Sequence, residues 1–181
     1  RMLYENYKGE STKFTMCLEL IETLKENGKK VLLFSSFTSI FDSFIEEFNQ
    51  RGIKYHMITG AVDKKKRKEE VDAFQSDDSD VFLISLKAGG TGLNLTKAQA
   101  VIHYDPWWNV SAQNQATDRA YRIGQTKNVL VYQLLMKNTI EAKIYEMQKR
   151  KKEMSDIFVE NSNGGISTLS KEELRDLFSM E

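Results

Sequence analysis

Val31-Leu32-Leu33-Phe34-Ser35-Ser36-Phe37-Thr38-Ser39-Ile40-Phe41-Asp42-Ser43-Phe44-Ile45-Glu46-Glu47-Phe48-Asn49-Gln50-Arg51-Gly52-Ile53-Lys54-Tyr55-His56-Met57-Ile58 holds two apolar runs either side of a helical pattern. Val31 to Phe34 is short and continuously apolar, as a strand buried on both faces must be. Ile40, Phe41, Phe44, Ile45 and Phe48 then recur at helical spacing, with Thr38 or Ser39 as cap and Gly52 as stop. Ile53 to Ile58 returns to strand. Strand, helix, strand over this length is the crossover unit of a parallel sheet.

The pattern continues outward in both directions. Upstream, Phe14, Cys17, Leu18, Ile21 and Leu24 form a helical face between Ser11 or Thr12 and Gly28. Downstream, Asp63 begins a helix whose inner face holds Val71 and Phe74. Val81 to Ser85 is a strand leading into a glycine loop, and Ala100 to Tyr104 is another, ended by Pro106. A helix over Gln115–Arg122 precedes a fifth strand, Val129 to Leu135. The fold class is therefore α/β, a parallel sheet covered on both faces. Ligands in such sheets gather at the carboxyl ends of the strands. Ser35-Ser36, Gly60, residues 87–94 and Trp107-Trp108 all fall there. From Thr139 the pattern changes to a long helix carrying Ile140, Ile144 and Met147, charged around residues 149–153. A polar hinge over 161–167 and a capping box, Ser170 to Glu173, open a last short helix. The expected division is residues 1–135 as the α/β lobe and 136–181 as a helical appendage.

The 181 residues suffice for one such domain with an appendage. No apolar run could span a membrane, and no secretory pattern is present. The first residue is Arg1, which predicts a piece of a longer protein. A single cysteine, Cys17, excludes an internal disulfide and fits a reducing compartment. With two separated histidines, His56 and His103, no metal site reads out. Both histidines lie within strands, and core packing is expected of them. Formal net charge is zero, which counts mildly against nucleic acid as a partner unless charge is locally gathered.

Gln115, Asp118, Arg119 and Arg122 share one face of their helix, and Ala112, Ala116 and Ala120 form a packing stripe. Two guanidinium groups one turn apart suit a phosphate chain. The same residues also read as a surface ion pair of ~0.3–0.5 kcal/mol. Gly89, Gly90 and Gly92 let backbone N–H groups approach an oxyanion, but taken alone they read first as a structural turn. There is no P-loop: Thr23 stands where its first glycine would be. No acidic pair follows a strand to hold magnesium. Residues 64–68, Lys-Lys-Lys-Arg-Lys, open a helix where cations oppose the dipole, so stability does not explain them. They make a phosphate-attracting rim or a solvated face balanced by Glu69 and Glu70. Trp107 and Trp108 are read as a buried pair.

Residues 115–125, Gln-Ala-Thr-Asp-Arg-Ala-Tyr-Arg-Ile-Gly-Gln, resemble motif VI of the SWI/SNF family of DNA-dependent ATPases. Residues 85–95 are similar to its motif V, 105–109 to its Asp-Pro-Trp-Trp-Asn signature, 34–38 to its motif IV and 169–178 to its closing helix. They stand in the family's order and cover nearly the whole chain. The resemblance implies a RecA-like second lobe, inactive as an ATPase without the first. It implies arginine fingers at Arg119 and Arg122, ATP contacts at Gly92, Asn94 and Gln115, and ATP with Mg2+ held mainly by the first lobe. It also implies double-stranded DNA along Ser36, Lys64, Ser85, Lys87, Gly89 and Trp107, translocated without strand separation. Ala61 and Val62 replace the family's hydroxyls before the lysine-rich helix, Val110 its proline and Gln113 its acidic residue. The compact spacing and the tail resemble bacterial members, which implies a cytoplasmic, nucleoid-associated protein; a eukaryotic member would be nuclear. Two other classes stay open. One is a dinucleotide- or S-adenosylmethionine-binding Rossmann domain using Asp105, and the other is a non-catalytic interaction module.

Overall fold

The computed structural model describes residues 11–60, 62–89, 95–106 and 128–150, with only the backbone described at Lys87 and Gly89. In chain order the elements are α1 (Thr12–Glu26), β1 (Lys30–Ser35), α2 (Ser39–Arg51), β2 (Tyr55–Ile58), α3 (Lys64–Ser76), β3 (Val81–Ser85), a single helical turn α4 (Leu86–Gly89), β4 (Ala98–His103) and β5 (Leu130–Gln133). The strands form one parallel sheet in the order β2-β3-β1-β4-β5. This is a RecA-like α/β fold. The chain divides into two compact units, Arg1–Ala142 and Lys143–Glu181.

The strand order decides which face each helix covers. From β1 the chain steps outward to β2, then back to β3, and right-handed crossovers in opposite directions put α2 and α3 on opposite faces. Alternate residues of the strands accordingly enter two cores. Val31, Leu33, Leu83 and Ile102 meet Cys17, Leu18 and Ile21 of α1 and Phe41, Phe44 and Phe48 of α2. Leu32, Phe34, Phe82, Ile84 and Val101 meet Val71 and Phe74 of α3. The inner strands are buried except at Lys30 of β1 and Gln99 of β4. In β5, at one edge, Leu130 and Val131 are exposed.

Boundaries move by one or two residues from the sequence reading, with local causes. β2 begins at Tyr55 rather than Ile53, because the Lys54 N–H donates to the Asp80 carboxylate (2.9 Å) and Lys54 O accepts from the Asp80 N–H (2.8 Å). Gly52 ends α2 in the left-handed conformation (φ 63°), which a residue with a Cβ adopts only under strain. Asp63 caps α3 by accepting the Lys66 N–H at 2.9 Å. That anionic cap offsets part of the charge conflict at the lysine-rich helix start.

Residues 140–150 are helical. Glu141 at its start receives both hydrogen bonds of a paired contact with Lys13 of α1, each 2.7 Å. Lys13 is almost fully buried, and its Nζ lies 4.9 Å from the centre of the Tyr104 ring. The long-range pair was not legible in the sequence, since 128 residues separate its partners. The hinge, capping box and last helix expected beyond residue 150 lie outside the described residues, as does the helix over 115–122.

His56 corrects a sequence expectation. Core packing was expected, but the ring is half-buried and sits between two carboxylates. Its Nδ1 is 2.7 Å from Glu70 and its Nε2 2.7 Å from Asp77. Both contacts are hydrogen bonds only when both ring nitrogens carry protons, so this geometry selects the imidazolium. Burial alone lowers the His56 pKa, but Asp77 and Glu70 outweigh it and raise the value. Burial alone would raise the Asp77 pKa, yet Ser79, His56 and Lys30 hold it well below the usual carboxylate range. Lys30 also donates to the α3 carboxyl-terminal carbonyls of Phe74 (2.6 Å) and Asp77 (2.8 Å). The His56 contribution is fully present below its unfolded pKa of about 6.5 and is lost as pH rises through the raised folded value. Asp77 contributes above its unfolded value and loses that only in strong acid. His56→Gln should therefore cost roughly 1 kcal/mol near pH 6, partial exposure discounted, and less near pH 9. Urea unfolding at the two pH values measures it, and an equal loss at both would show that His56 is not held as imidazolium.

Candidate nucleic-acid and nucleotide interface

The carboxyl ends of three adjacent inner strands, β3, β1 and β4, bring together Ser85, Ser35-Ser36 and Asp105. β1 and β4 stay paired past their ends, through the Tyr104 N–H donating to Phe34 O at 2.9 Å. Asp105 thereby comes to lie beside the serines across 70 residues of sequence. Its carboxylate is buried, 5% exposed, and accepts from both. Ser35 Oγ donates to Oδ2 at 2.6 Å, the Ser36 N–H to Oδ1 at 3.0 Å, and Ser36 Oγ also donates to Oδ1. Ser35 Oγ in turn accepts the Phe37 N–H at 3.0 Å. These donors are neutral, so the charge of Asp105 is held by hydrogen bonds.

This arrangement bears on the dinucleotide reading. A ribose-binding acid must present its carboxylate to the ligand. Asp105 is instead turned inward and occupied. His103, two residues earlier at the end of β4, is buried against Phe34 (ring centres 5.6 Å apart) and burial lowers its pKa to about 4, so it is a neutral core residue as expected.

Ser85 is 3% exposed, and its Oγ accepts the Ala88 N–H at 3.3 Å, which caps the α4 turn. The backbone of Lys87 and Gly89 lies in that turn. Past the glycines, α3 receives the returning chain: Gln75 Oε1 accepts the Lys97 N–H at 3.0 Å and Gln75 Nε2 donates to Thr96 Oγ1 at 3.3 Å. At the carboxyl end of β2, a Cβ built on Gly60 would meet nothing within 4 Å, so packing does not demand a glycine there. Lys64 is exposed at the amino end of α3. Arg67, in the same basic run, is half-buried and donates to Val62 O at 3.1 Å. Gly92, Asn94, Trp107, Gln115, Arg119 and Arg122 lie outside the described residues. Among the described residues no three His, Cys, Asp or Glu side chains come together to hold a metal ion, and no helix is long and apolar enough to cross a membrane. Sequence reasoning missed the role of Asp105 in joining β1 to β4. Its one signal was an acidic residue immediately before the only proline.

A parallel sheet of this order, with its hydroxyls and glycine turn on one rim, is the architecture of a helicase-type lobe. The helicase conserved C-terminal domain family model matches residues 12–124. The chain belongs to that family, as the second lobe of its SWI/SNF type. A Mycoplasma pneumoniae protein described as an uncharacterized ATP-dependent helicase is 44% identical over 93% of this chain and 16% of its own length. The Bacillus subtilis putative ATP-dependent helicase/translocase YwqA is 38% identical over 95% of this chain and 19% of its own. The chromatin-remodeling ATPase INO80 of Candida albicans is 40% identical over 87% of this chain and 11% of its own. The crystal structure of the C-terminal part of the Fun30 ATPase domain superposes with a TM-score of 0.73 at 35% identity, covering 80% of this chain and 47% of that one. The chain thus spans less than a fifth of the length of these curated relatives.

Proposed function

We propose that this chain is the arginine-finger lobe of an ATP-driven translocase on double-stranded DNA. The observation that carries the reading is the convergence of Ser35-Ser36, Ser85 and the Lys87–Gly89 turn on one rim of a RecA-like sheet. In this reading residues 1–135 form the lobe and 136–181 the appendage that follows it. ATP and Mg2+ are bound mainly by a first lobe of the same polypeptide, because phosphoryl transfer needs a phosphate cradle and a metal site and this chain's sequence has neither motif. Gly92, Asn94 and Gln115 meet the nucleotide, and Arg119 and Arg122 stabilise charge developing at the γ-phosphate. The lobe alone hydrolyses no nucleotide. The intact protein works wherever its DNA is, at the nucleoid in a bacterium or in the nucleus of a eukaryote.

The DNA track runs along Ser36, Lys64, Ser85, Lys87, Gly89 and Trp107. Backbone amides, hydroxyls and lysines suit phosphates rather than base edges, so binding is independent of sequence. Lys87→Ala in the two-lobe protein should weaken binding to all duplexes alike and reduce the salt slope by about 1. Titrations of unrelated duplexes across a salt series test this. A variant that keeps the parent's slope, or loses affinity for one sequence only, would falsify the placement of the track.

A further inference from the structure

Ser36 has two hydrogens to give, its N–H and its O–H, and Asp105 takes both. A phosphate oxygen can only accept. Ser36 therefore has no hydrogen to offer a DNA strand while Asp105 holds it. The two anions, one internal and one on the ligand, compete for the same pair of donors at the same place. Burying a carboxylate against neutral donors costs more hydration than burying a neutral residue of the same shape. Stability alone does not account for an acid here.

We propose that Asp105 is a positioning residue that latches Ser36, and that a DNA phosphate engages Ser36 by displacing it. The inference rests on the assignment of Ser36 to the DNA track. Contact with DNA then frees Ser36 from Asp105, while the Tyr104 N–H to Phe34 O bond and the Ser35 Oγ bond to Asp105 keep β1 and β4 joined. Asp105 also fixes Ser35, whose Oγ accepts the Phe37 N–H, so Ser36 is presented from a turn that stays anchored on either side. The closed latch sets DNA affinity below what the rim donors alone would give.

The test uses the two-lobe protein and four variants: Asp105→Asn, Asp105→Ser, Ser36→Ala, and Ser36→Ala combined with Asp105→Asn. Duplex binding, the DNA concentration giving half-maximal ATPase, and the thermal unfolding midpoint are measured for each. Asp105→Asn keeps the shape, leaves an acceptor for the Ser36 N–H and removes the strong competitor. It should tighten DNA binding about threefold to tenfold, the range of one hydrogen bond of ~0.5–1.5 kcal/mol, and lower the half-maximal DNA concentration in step. A merely damaged fold would weaken binding instead. Asp105→Ser should move affinity the same way, and decides the matter if the asparagine variant does not fold. In the Ser36→Ala background, Asp105→Asn should change DNA affinity by less than about twofold, because the donor it frees is gone. Weaker binding by both Asp105 variants overturns the latch. So does tightening that persists without the Ser36 hydroxyl, which would mark simple removal of a negative charge. A Lys87→Ala control separates the two levels. If it weakens binding while Asp105→Asn leaves it unchanged, only the latch falls. If neither variant alters DNA affinity, the track and the latch fall together.

Discussion

Alanine at Arg119 or Arg122 should cut DNA-stimulated ATP turnover of the two-lobe protein by ~10²-fold or more while leaving DNA binding nearly intact. The expected size follows from arginine fingers in other nucleotide hydrolases, worth ~10³–10⁵ in rate, which the proposed assignment divides between two groups. Each guanidinium is charged at every working pH and offers a planar fork to phosphate oxygens. Lysine at either site should rescue poorly, because a point charge does not replace the fork. Removing a group that acts in the transition state lowers kcat and leaves ground-state affinity alone. Steady-state kinetics and duplex titration on the same preparations separate the two. Turnover within about twofold of the parent for both alanine variants would remove the finger assignment.

Phe44→Ala should destabilise the lobe by ~3–5 kcal/mol, a large share of the ~5–15 kcal/mol that holds a domain together. Phe44 is fully buried where α2 meets α1 and the sheet, with ring centres 4.6 Å from Phe14, 5.7 Å from Phe48 and 5.4 Å from Tyr104. No neighbour can fill the space of its ring without leaving its own contacts. Phe37, seven residues earlier, is 68% exposed, and its replacement by alanine should cost no more than ~0.5 kcal/mol. Urea unfolding of both variants against the parent makes the comparison. A loss at Phe44 below about 1.5 kcal/mol would mean that the two-faced core is not packed as described.

The elements were legible because they obey two periods. Phe41, Phe44 and Phe48 at helical spacing could only be the inner face of α2, and the apolar runs at residues 31–34 and 81–84 could only be strands buried on both sides. The edge strand β5 was less legible, since its apolar Leu130 and Val131 resemble a buried run but face outward. His56 misled for a related reason. A histidine within a strand says nothing of its neighbours, and the two carboxylates that claim it come from α3 and from the residue after α3. Of the candidate site, the sequence placed Ser36, Ser85 and Lys87 on one rim, because topology sends every strand's carboxyl end there.

What the sequence determined by itself was the inventory: which segments are strands and helices, that the sheet is parallel, and that Ser35, Ser36 and Ser85 stand on one edge. Periodicity and crossover handedness are local or topological rules, and they need no distances. Only the tertiary structure decided the pairings between residues far apart in the chain. These are Lys13 with Glu141, His56 between Glu70 and Asp77, and Asp105 on Ser35 and Ser36. Each is a charged or titratable group taken partly out of water, and its partner is fixed by which strand ends and helix faces the sheet order brings together. That choice rests on hydrogen-bond geometry of a few tenths of an ångström, a scale on which sequence spacing carries no information.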